Sequence, residues 1–357
     1  MLWTPARHES LGDAPWSEAR ARAGIAAIVA TTLAGFDERI GLWPLHPNDV
    51  EPGSEEPSRG LYCGAAGIIW ALDQLGVEHG FTVEPDGMHD DGFLDGRAGV
   101  LAVTGQDRDL LGDLIASYAG HLALDLLYGA PGMMVIATHQ GFDDLWRVLA
   151  DDLLARRDED GLWTQEFLPG RPDRYVGFGH GFAGNVFALA QGEHPDREEL
   201  EQTAIATATR LAVIEGRLAN WPAVAGTPLE LSDGIRTQWC HGAAGMVTAL
   251  AGIEGDDVWD ELLLAGGCTV WTAGPLRDRA GLCHGTAGNA YAFLKLFERR
   301  HDELWLERAR LFAIHALGQV ERAGPPWHSL FTGDLGVALC LRSCLEADPR
   351  FPTLDYM

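Results

Sequence analysis

The sequence is poor in positive charge. Lysine and arginine together number 26, against 52 aspartate and glutamate residues, and the formal net charge is −26. Binding to nucleic acid needs a basic surface, so this composition argues against DNA or RNA as a partner. An anionic membrane surface is disfavoured for the same reason, whereas cationic partners are favoured through a long-range attraction that salt screens.

Long apolar runs are also missing. No uninterrupted apolar stretch reaches the roughly 18 residues that a membrane-spanning helix needs, so we expect no membrane insertion. The first residues, MLWTPARHES, lack a basic region followed by an apolar one, so no secretory signal is expected and the protein is predicted to be cytoplasmic. The six cysteines are therefore expected to be core thiols, metal ligands or nucleophiles rather than disulfides.

Glycine, in contrast, is abundant. The chain has 44 glycines without the G-X-Y period of collagen. Seven segments share a G-x-x-G step that opens an apolar, alanine-rich stretch, which suits a buried helix. The first glycines of these seven pairs are Gly64, Gly96, Gly129, Gly181, Gly242, Gly285 and Gly333.

Amphipathic segments alternate with the apolar ones. The apolar residues from Ile25 to Phe36 and from Trp305 to Ala316 follow helical spacing, and similar helices are expected near 108–122, 143–156 and 196–213. Alternating apolar and amphipathic helices predict an inner and an outer ring, an all-α α/α toroid. A length of 357 residues would suggest two domains, but such a ring has one continuous core, so we predict a single domain over 1–357.

Three stretches interrupt the helical pattern. Residues 41–60, 161–175 and 220–238 are interpreted as surface loops, and the last two are expected at the rim near any central site, because loops on a rigid scaffold commonly carry function.

Histidine and cysteine recur at one level of the predicted ring. The residues just before the first glycines of repeats four, five and six are His180, His241 and His284. Cys240 and Cys283 precede the last two, so Cys-His-Gly-x-Ala-Gly occurs twice. Two such pairs in equivalent places, beside a third histidine, favour a zinc site over buried core thiols. A zinc ion with three protein ligands keeps a fourth position open, and a thiol bound there is deprotonated near neutral pH.

These motifs resemble those of the lanthionine synthetase C family, the LanC cyclases and LanC-like proteins. The resemblance covers all seven repeats, from Leu61 to Leu341, and is most specific at WCHG, CHG and GHG. It implies a toroid of seven inner and seven outer helices. It also implies a Zn²⁺ ion bound by Cys240, Cys283 and His284, and a catalytic histidine at His180.

The resemblance further implies roles for two charged residues. Asp125 matches a family position that lies four residues before the first glycine of the third repeat. Arg236 matches a family position that lies four residues before the first zinc cysteine. As a hypothesis, a cysteine thiolate of a peptide adds to the β-carbon of a dehydroalanine or dehydrobutyrine, giving a thioether ring. Arg236 would stabilise the enolate, His180 would protonate its α-carbon, and Asp125 would orient or tune His180 or help deprotonate the thiol. His241 is expected to line the pocket as a hydrogen-bonding residue.

Other functions stay open on the sequence. A LanC-like enzyme could add glutathione or another small thiol to dehydroamino acids in proteins, and a zinc-binding regulatory module would do no chemistry. A toroidal glycosidase needs a carboxylate pair and would leave the cysteines unexplained. The cyclase interpretation expects a dehydrated precursor peptide as the substrate. The acidic net charge of the protein would favour a cationic leader on that peptide. That peptide would come from a separate dehydratase, since the chain is no longer than a cyclase.

Overall fold

The computed structural model of the chain describes residues 1–50, 56–168, 170–229 and 235–357. Within this part, thirteen α-helices are accompanied by a short 3-10 helix (Pro5–Arg7). Seven of them follow the glycine pairs: α2 (Ala65–Gln74), α3 (Arg97–Thr104), α5 (Ala130–Gln140), α7 (Phe182–Ala190), α9 (Ala243–Leu250), α11 (Thr286–Arg300) and α13 (Asp334–Glu346). The other six are α1 (Glu18–Ala34), α4 (Arg108–Ser117), α6 (Asp143–Ala155), α8 (Arg197–Leu211), α10 (Asp257–Ala273) and α12 (Glu303–Arg322).

Strands are few and short. Three antiparallel hairpins pair β1 (Gln165–Leu168) with β2 (Arg171–Asp173), β3 (Val213–Glu215) with β4 (Leu218–Asn220), and β5 (Thr237–Gln238) with β6 (His241–Gly242).

The seven glycine-led helices form a closed ring. Each contacts the next in the order α2, α3, α5, α7, α9, α11 and α13, and α13 returns to contact α2. The other six helices pack on the outside of this ring, for example α6 on α5, α8 on α7, and α1 on α13. The predicted α/α toroid is therefore confirmed.

The outer ring has one irregular member. Between α2 and α3 the chain forms turns rather than a helix, so the part described holds six outer helices where seven were expected. Glycine and proline recur through this connection, which disfavours a helix there. An aromatic cluster covers the inner helices at this place instead. In it, the side-chain ring of Phe81 has its centroid 4.4 Å from that of Phe36 and 4.8 Å from that of Trp43.

The first glycine of every pair is the N-cap residue of its inner helix, so the N-cap position supplies no capping side chain in any of the seven. A helix start leaves backbone N–H groups without partners inside the helix. Here the preceding loop supplies carbonyls from seven residues earlier: Ala65 N donates to Ser58 O at 3.0 Å, and Thr286 N donates to Arg279 O at 3.0 Å. The loop thus takes the place of a capping side chain.

The second glycine of each pair lies where that loop crosses the first turn of the helix. In all seven repeats a Cβ built on it would fall between 1.7 and 2.4 Å from the carbonyl oxygen of the residue six positions earlier. Real Cβ atoms essentially never come within 3.0 Å of such an atom, so only glycine lets the loop pack on its helix. The residues before the glycines are thereby held in equivalent places around the axis.

Both ends of the chain pack against the ring. The segment after α13 enters the barrel from the end opposite to the glycine loops. There Phe351 is fully buried, with its ring centroid 5.2 Å from that of Trp239 and 4.8 Å from that of Tyr291. The N-terminal residues lie along β4 and β5, where Asn220 donates to Leu2 O at 2.6 Å.

The three predicted loops differ from simple surface segments. The stretch 161–175 contains the β1–β2 hairpin, and 220–238 includes the buried residues Trp221, Thr237 and Gln238. Residues 51–55, 169 and 230–234, which belong to these loops, lie outside the described residues. In the part of the chain that is described, no helix combines the length and apolarity needed to cross a bilayer.

Candidate metal centre and its surroundings

Cys240 sits at the tip of a very short hairpin. β5 and β6 pair Gln238 with His241, so Trp239 and Cys240 form the two-residue turn between them. The loop of the fourth repeat packs against this turn, because Gly179 N donates to Cys240 O at 3.3 Å. A side chain on Gly179 would meet Cys240 Cβ at 2.9 Å, so the glycine allows the two loops to approach this closely.

Cys283 and His284 lie on the equivalent loop of the sixth repeat. The backbone N–H groups of Leu282 and Cys283 both donate to Phe331 O, at 2.8 and 2.9 Å, and tie this loop to the seventh repeat. Cys283 is buried and His284 is half-buried. The loop therefore presents a thiol and an imidazole side by side next to the hairpin of Cys240.

The three predicted ligands converge. One ligand atom from each of Cys240, Cys283 and His284 can be chosen so that all lie within 4.8 Å of one another, and Cys283 Sγ is 3.7 Å from His284 Nε2. Tetrahedral zinc with Zn–S near 2.3 Å and Zn–N near 2.0 Å would separate sulfur and nitrogen ligands by about 3.6 Å. Two thiols and one imidazole are also the donors that zinc prefers, so these residues fit the ion.

The two thiols differ in acidity. Burial raises the pKa of Cys283 and the neighbouring Cys240 raises it further, whereas a hydrogen bond with the Tyr62 hydroxyl opposes the rise. Burial also disfavours ionisation of Cys240. The hydrogen bond from Cys283 and the neighbouring imidazoles of His284 and His241 nevertheless hold the pKa of Cys240 below its ordinary value. The two thiols interact directly, so ionisation of one disfavours ionisation of the other.

The half-buried His180 pairs with the fully buried Asp125 beside the cluster. Nδ1 of His180 lies 2.9 Å from Oδ2 of Asp125, although 55 positions separate them in the sequence. Asp125 is fully buried, and its other oxygen accepts from Tyr128 N at 2.8 Å. Burial lowers the pKa of His180, but the hydrogen bond and charge of Asp125 outweigh it, so the pKa lies above the ordinary histidine value.

His241 and Arg236 lie in the same group of side chains. The ring centroid of His241 is 5.6 Å from that of His180, and its Nδ1 has no hydrogen-bonding partner among the described residues. Burial lowers the pKa of His241 to about 4, although the charge of Cys240 acts to raise it. The charge of Arg236 contributes to this lowering and opposes the rise at His180, so Arg236 lies close to both rings. All seven predicted site residues therefore lie in one region of the molecule.

Three neighbours of this region were not predicted. Tyr62 hydrogen-bonds Cys283, Tyr175 has its ring centroid 6.0 Å from those of both His180 and His241, and Gln238 donates to Cys240. Tyr62 stands at the repeat position that Cys240 and Cys283 occupy, two residues before the first glycine, so the repeat alignment contained a signal for it. Gln238 and Tyr175 belong to no repeated motif.

Comparison with known sequences gives a family match over most of the chain. A profile of the family described as "Lanthionine synthetase C-like protein" matches residues 46–356. The chain is similar to "Glutathione S-transferase LANCL1" of Danio rerio, with 29% identity over 201 residues, and to "LanC-like protein GCL1" of Arabidopsis thaliana, with 33% identity over 147 residues. These matches cover 54% and 37% of this chain but only 47% and 32% of the two relatives.

Comparison with solved structures gives a match over nearly the whole ring. The structure of "Nisin cyclase" aligns with a TM-score of 0.63, covering 92% of this chain and 94% of the other. Sequence identity in that alignment is 15%, so the likeness concerns the fold.

Proposed function

The chain belongs to the lanthionine synthetase C-like family, and from this premise we propose that it is a cyclase that adds a cysteine thiol to a dehydroalanine or dehydrobutyrine of the same peptide, forming a thioether ring. The observation that carries the proposal is the convergence of Cys240, Cys283 and His284 beside the paired His180 and Asp125. Zinc is the proposed cofactor, and when bound it would supply a site that holds the incoming thiol as a thiolate.

The reaction is an addition and needs neither oxidant nor reductant. The thiol S–H bond and the C=C π bond break, while an S–Cβ bond and a Cα–H bond form. The electron pair of the π bond moves through Cα towards the carbonyl oxygen, and Arg236 provides the positive charge that stabilises the resulting enolate.

His180 is the proposed acid for the last proton transfer. Its Nδ1 bond to Asp125 fixes the ring and favours the doubly protonated form, so Nε2 carries the proton that Cα receives. His241, neutral because its pKa is about 4, is proposed to line the pocket without adding charge. The chain's own residues thus orient the reactants, stabilise the enolate and deliver the proton. A separate dehydratase is the proposed source of the dehydrated peptide.

A second candidate uses the same chemistry with a different thiol. The zebrafish relative is described as a glutathione S-transferase, which favours a small soluble thiol as the nucleophile. In that case the dehydroamino acid would lie in a protein or peptide and the product would be an open thioether adduct rather than a ring.

Metal analysis tests the proposed site. Purified protein is expected to carry about one zinc per chain, and Cys283→Ala is expected to lose it because one of three ligands is gone. Cys268→Ala is the matched control, since this half-buried thiol lies on α10 outside the cluster. A wild-type protein that binds no zinc, or a Cys283→Ala variant that binds it unchanged, would contradict the proposed site.

A peptide assay separates the candidate activities. The protein is incubated with a dehydrated peptide that contains cysteine, with and without glutathione, and free thiols are then alkylated and counted by mass. Ring formation protects the peptide cysteine without adding mass, whereas small-thiol addition adds the mass of glutathione. A zinc-loaded protein that gives neither product is a regulatory module, and the proposed activity is then wrong.

A further inference from the structure

Gln238 contacts a metal-ligating thiol through its side chain. Its Nε2 lies 2.9 Å from Cys240 Sγ, and its Oε1 lies 2.8 Å from Arg7 Nη2. Gln238 is buried, with 1% of its surface exposed. The N-terminal segment, the start of the fifth-repeat hairpin and the candidate metal centre are therefore joined by one chain of side-chain hydrogen bonds.

The hydrogen bonds that run from Arg7 through Gln238 to Cys240 have a fixed order of donors and acceptors. Arginine has only N–H donors, so the carbonyl end of the Gln238 amide must face Arg7. The NH₂ end then faces Cys240, whose sulfur has to accept. A hydrogen-bonding arrangement that requires an accepting sulfur suits a thiolate, which is the form that binds zinc.

The second thiol receives a comparable contact. The Tyr62 hydroxyl hydrogen-bonds Cys283 from the first repeat, and its ring centroid lies 5.3 Å from that of Phe331. Each buried sulfur of the cluster thus has one neutral hydrogen-bonding neighbour from outside the ligand set. Two ligand thiolates and an incoming one around a dication would sum to a charge of −1 in a buried site, and such neighbours offset the excess negative charge.

We propose that Gln238, oriented by Arg7, is a positioning residue that hydrogen-bonds the Cys240 thiolate and thereby sets the affinity and electronic character of the metal centre. This inference rests on the proposed function, because it presupposes that Cys240 ligates a metal. Hydrogen-bonding partners of metal ligands typically change metal affinity by about 10- to 100-fold when they are removed.

Three variants test the inference. Gln238→Leu removes the donor, Arg7→Met removes the group that orients it, and Gln319→Leu is the control. Gln319 is a buried glutamine on α12 whose amide donates to Glu9 Oε1 at 2.8 Å and Leu276 O at 2.6 Å, neither of which belongs to the cluster. Zinc affinity is measured by competition with a chromophoric chelator. We expect it to fall about 10- to 100-fold in Gln238→Leu, less in Arg7→Met, and not in Gln319→Leu.

Cobalt substitution adds a readout that a merely structural role would not move. A hydrogen bond to a thiolate lowers the energy of its sulfur electrons, so its loss should shift the sulfur-to-cobalt charge-transfer band of Gln238→Leu to longer wavelength. If Gln238→Leu does not fold, Gln238→Met, which fills a similar volume without a donor, decides the question in its place.

The outcomes distinguish this inference from the proposed function. A wild-type protein that binds zinc, together with a folded Gln238→Leu of unchanged affinity and unchanged cobalt band, overturns the role of Gln238 and leaves the metal centre standing. A wild-type protein that binds neither metal overturns both. Reduced affinity with a shifted band in Gln238→Leu, and neither change in Gln319→Leu, supports the inference.

Discussion

Gly245 links the fold to the candidate metal centre, and its replacement by alanine has a calculable consequence. A Cβ at this position would lie 1.9 Å from Trp239 O, so the two atoms must separate by 3.0 − 1.9 = 1.1 Å to reach the closest distance that real Cβ atoms show. Phe178 Cβ, at 3.1 Å, blocks another direction of movement. Trp239 is fully buried and adjoins Cys240, so neither the helix nor the turn can yield freely.

The expected magnitude follows from two opposing effects. Alanine is favoured over glycine inside a helix by about 1 kcal/mol. Overpacking a buried site costs about 1–3 kcal/mol, and a displacement beyond 1 Å belongs at the upper end of that range. We therefore expect Gly245→Ala to lower the free energy of unfolding by about 2 kcal/mol, and to weaken zinc binding because the turn that carries Cys240 must shift.

Denaturant unfolding and chelator competition measure the two effects. Gly252→Ala is the matched control: Gly252 lies just after the same helix, has no positive φ, and a Cβ added there would meet no atom within 4 Å. The stability of this control is expected to equal that of the wild type. A Gly245→Ala protein within about 0.5 kcal/mol of the wild type would refute the steric reasoning.

Three further predictions concern side chains around the axis. Asp125→Asn should move the alkaline fall in activity to lower pH. In the wild type, Asp125 raises the pKa of His180 against the effect of burial, so the protonated acid form persists to higher pH. A pH–rate profile that does not shift would contradict this. Phe351→Ala should lower the free energy of unfolding by about 3–5 kcal/mol in a denaturant titration, whereas Leu304→Ala, 45% exposed, should have little effect; equal losses would contradict the burial argument. His241, whose pKa is about 4, should show constant imidazole chemical shifts by NMR between about pH 5.5 and 8, and a midpoint inside that range would be inconsistent with its buried position.

The inner ring could be predicted from sequence because close backbone contacts require glycine at the same positions of every repeat. All seven first glycines are N-caps and all seven second glycines are sites where a Cβ collides, so the same residue is required at the same spacing in every repeat. The outer helices follow from apolar periodicity, with errors at their ends. The helix predicted over 108–122 ends at Ser117, for example, and the chain turns at Gly120 with φ +77.

The rest of the molecule lacks such a repeated signature. The terminal segments have no apolar period, so neither the position of Phe351 on the axis nor the contact of Arg7 with Gln238 could be predicted. Cys240 and Cys283 share a repeat position, and His284 is one of three histidines at the next position, which favoured a zinc site; the ligand set of Cys240, Cys283 and His284 was implied by the family resemblance. The pairing of Asp125 with His180 joins residues 55 positions apart, and only the family resemblance suggested it before the structure brought them within 2.9 Å.

The burial of Phe351 against Trp239 has a consequence for whether a peptide could pass through the ring. Phe351 fills the space next to Trp239 where the C-terminal segment enters the barrel, so in the proposed cyclase we expect no peptide to pass from one face to the other. Reactant and product would then share the opening at the glycine loops. A cysteine in the middle of a long peptide would reach Cys240 and Cys283 at the apex of a bend, with both arms leaving through the same opening. Its sequence neighbours would enter with it, so we expect the proposed reaction to favour small rings over large ones.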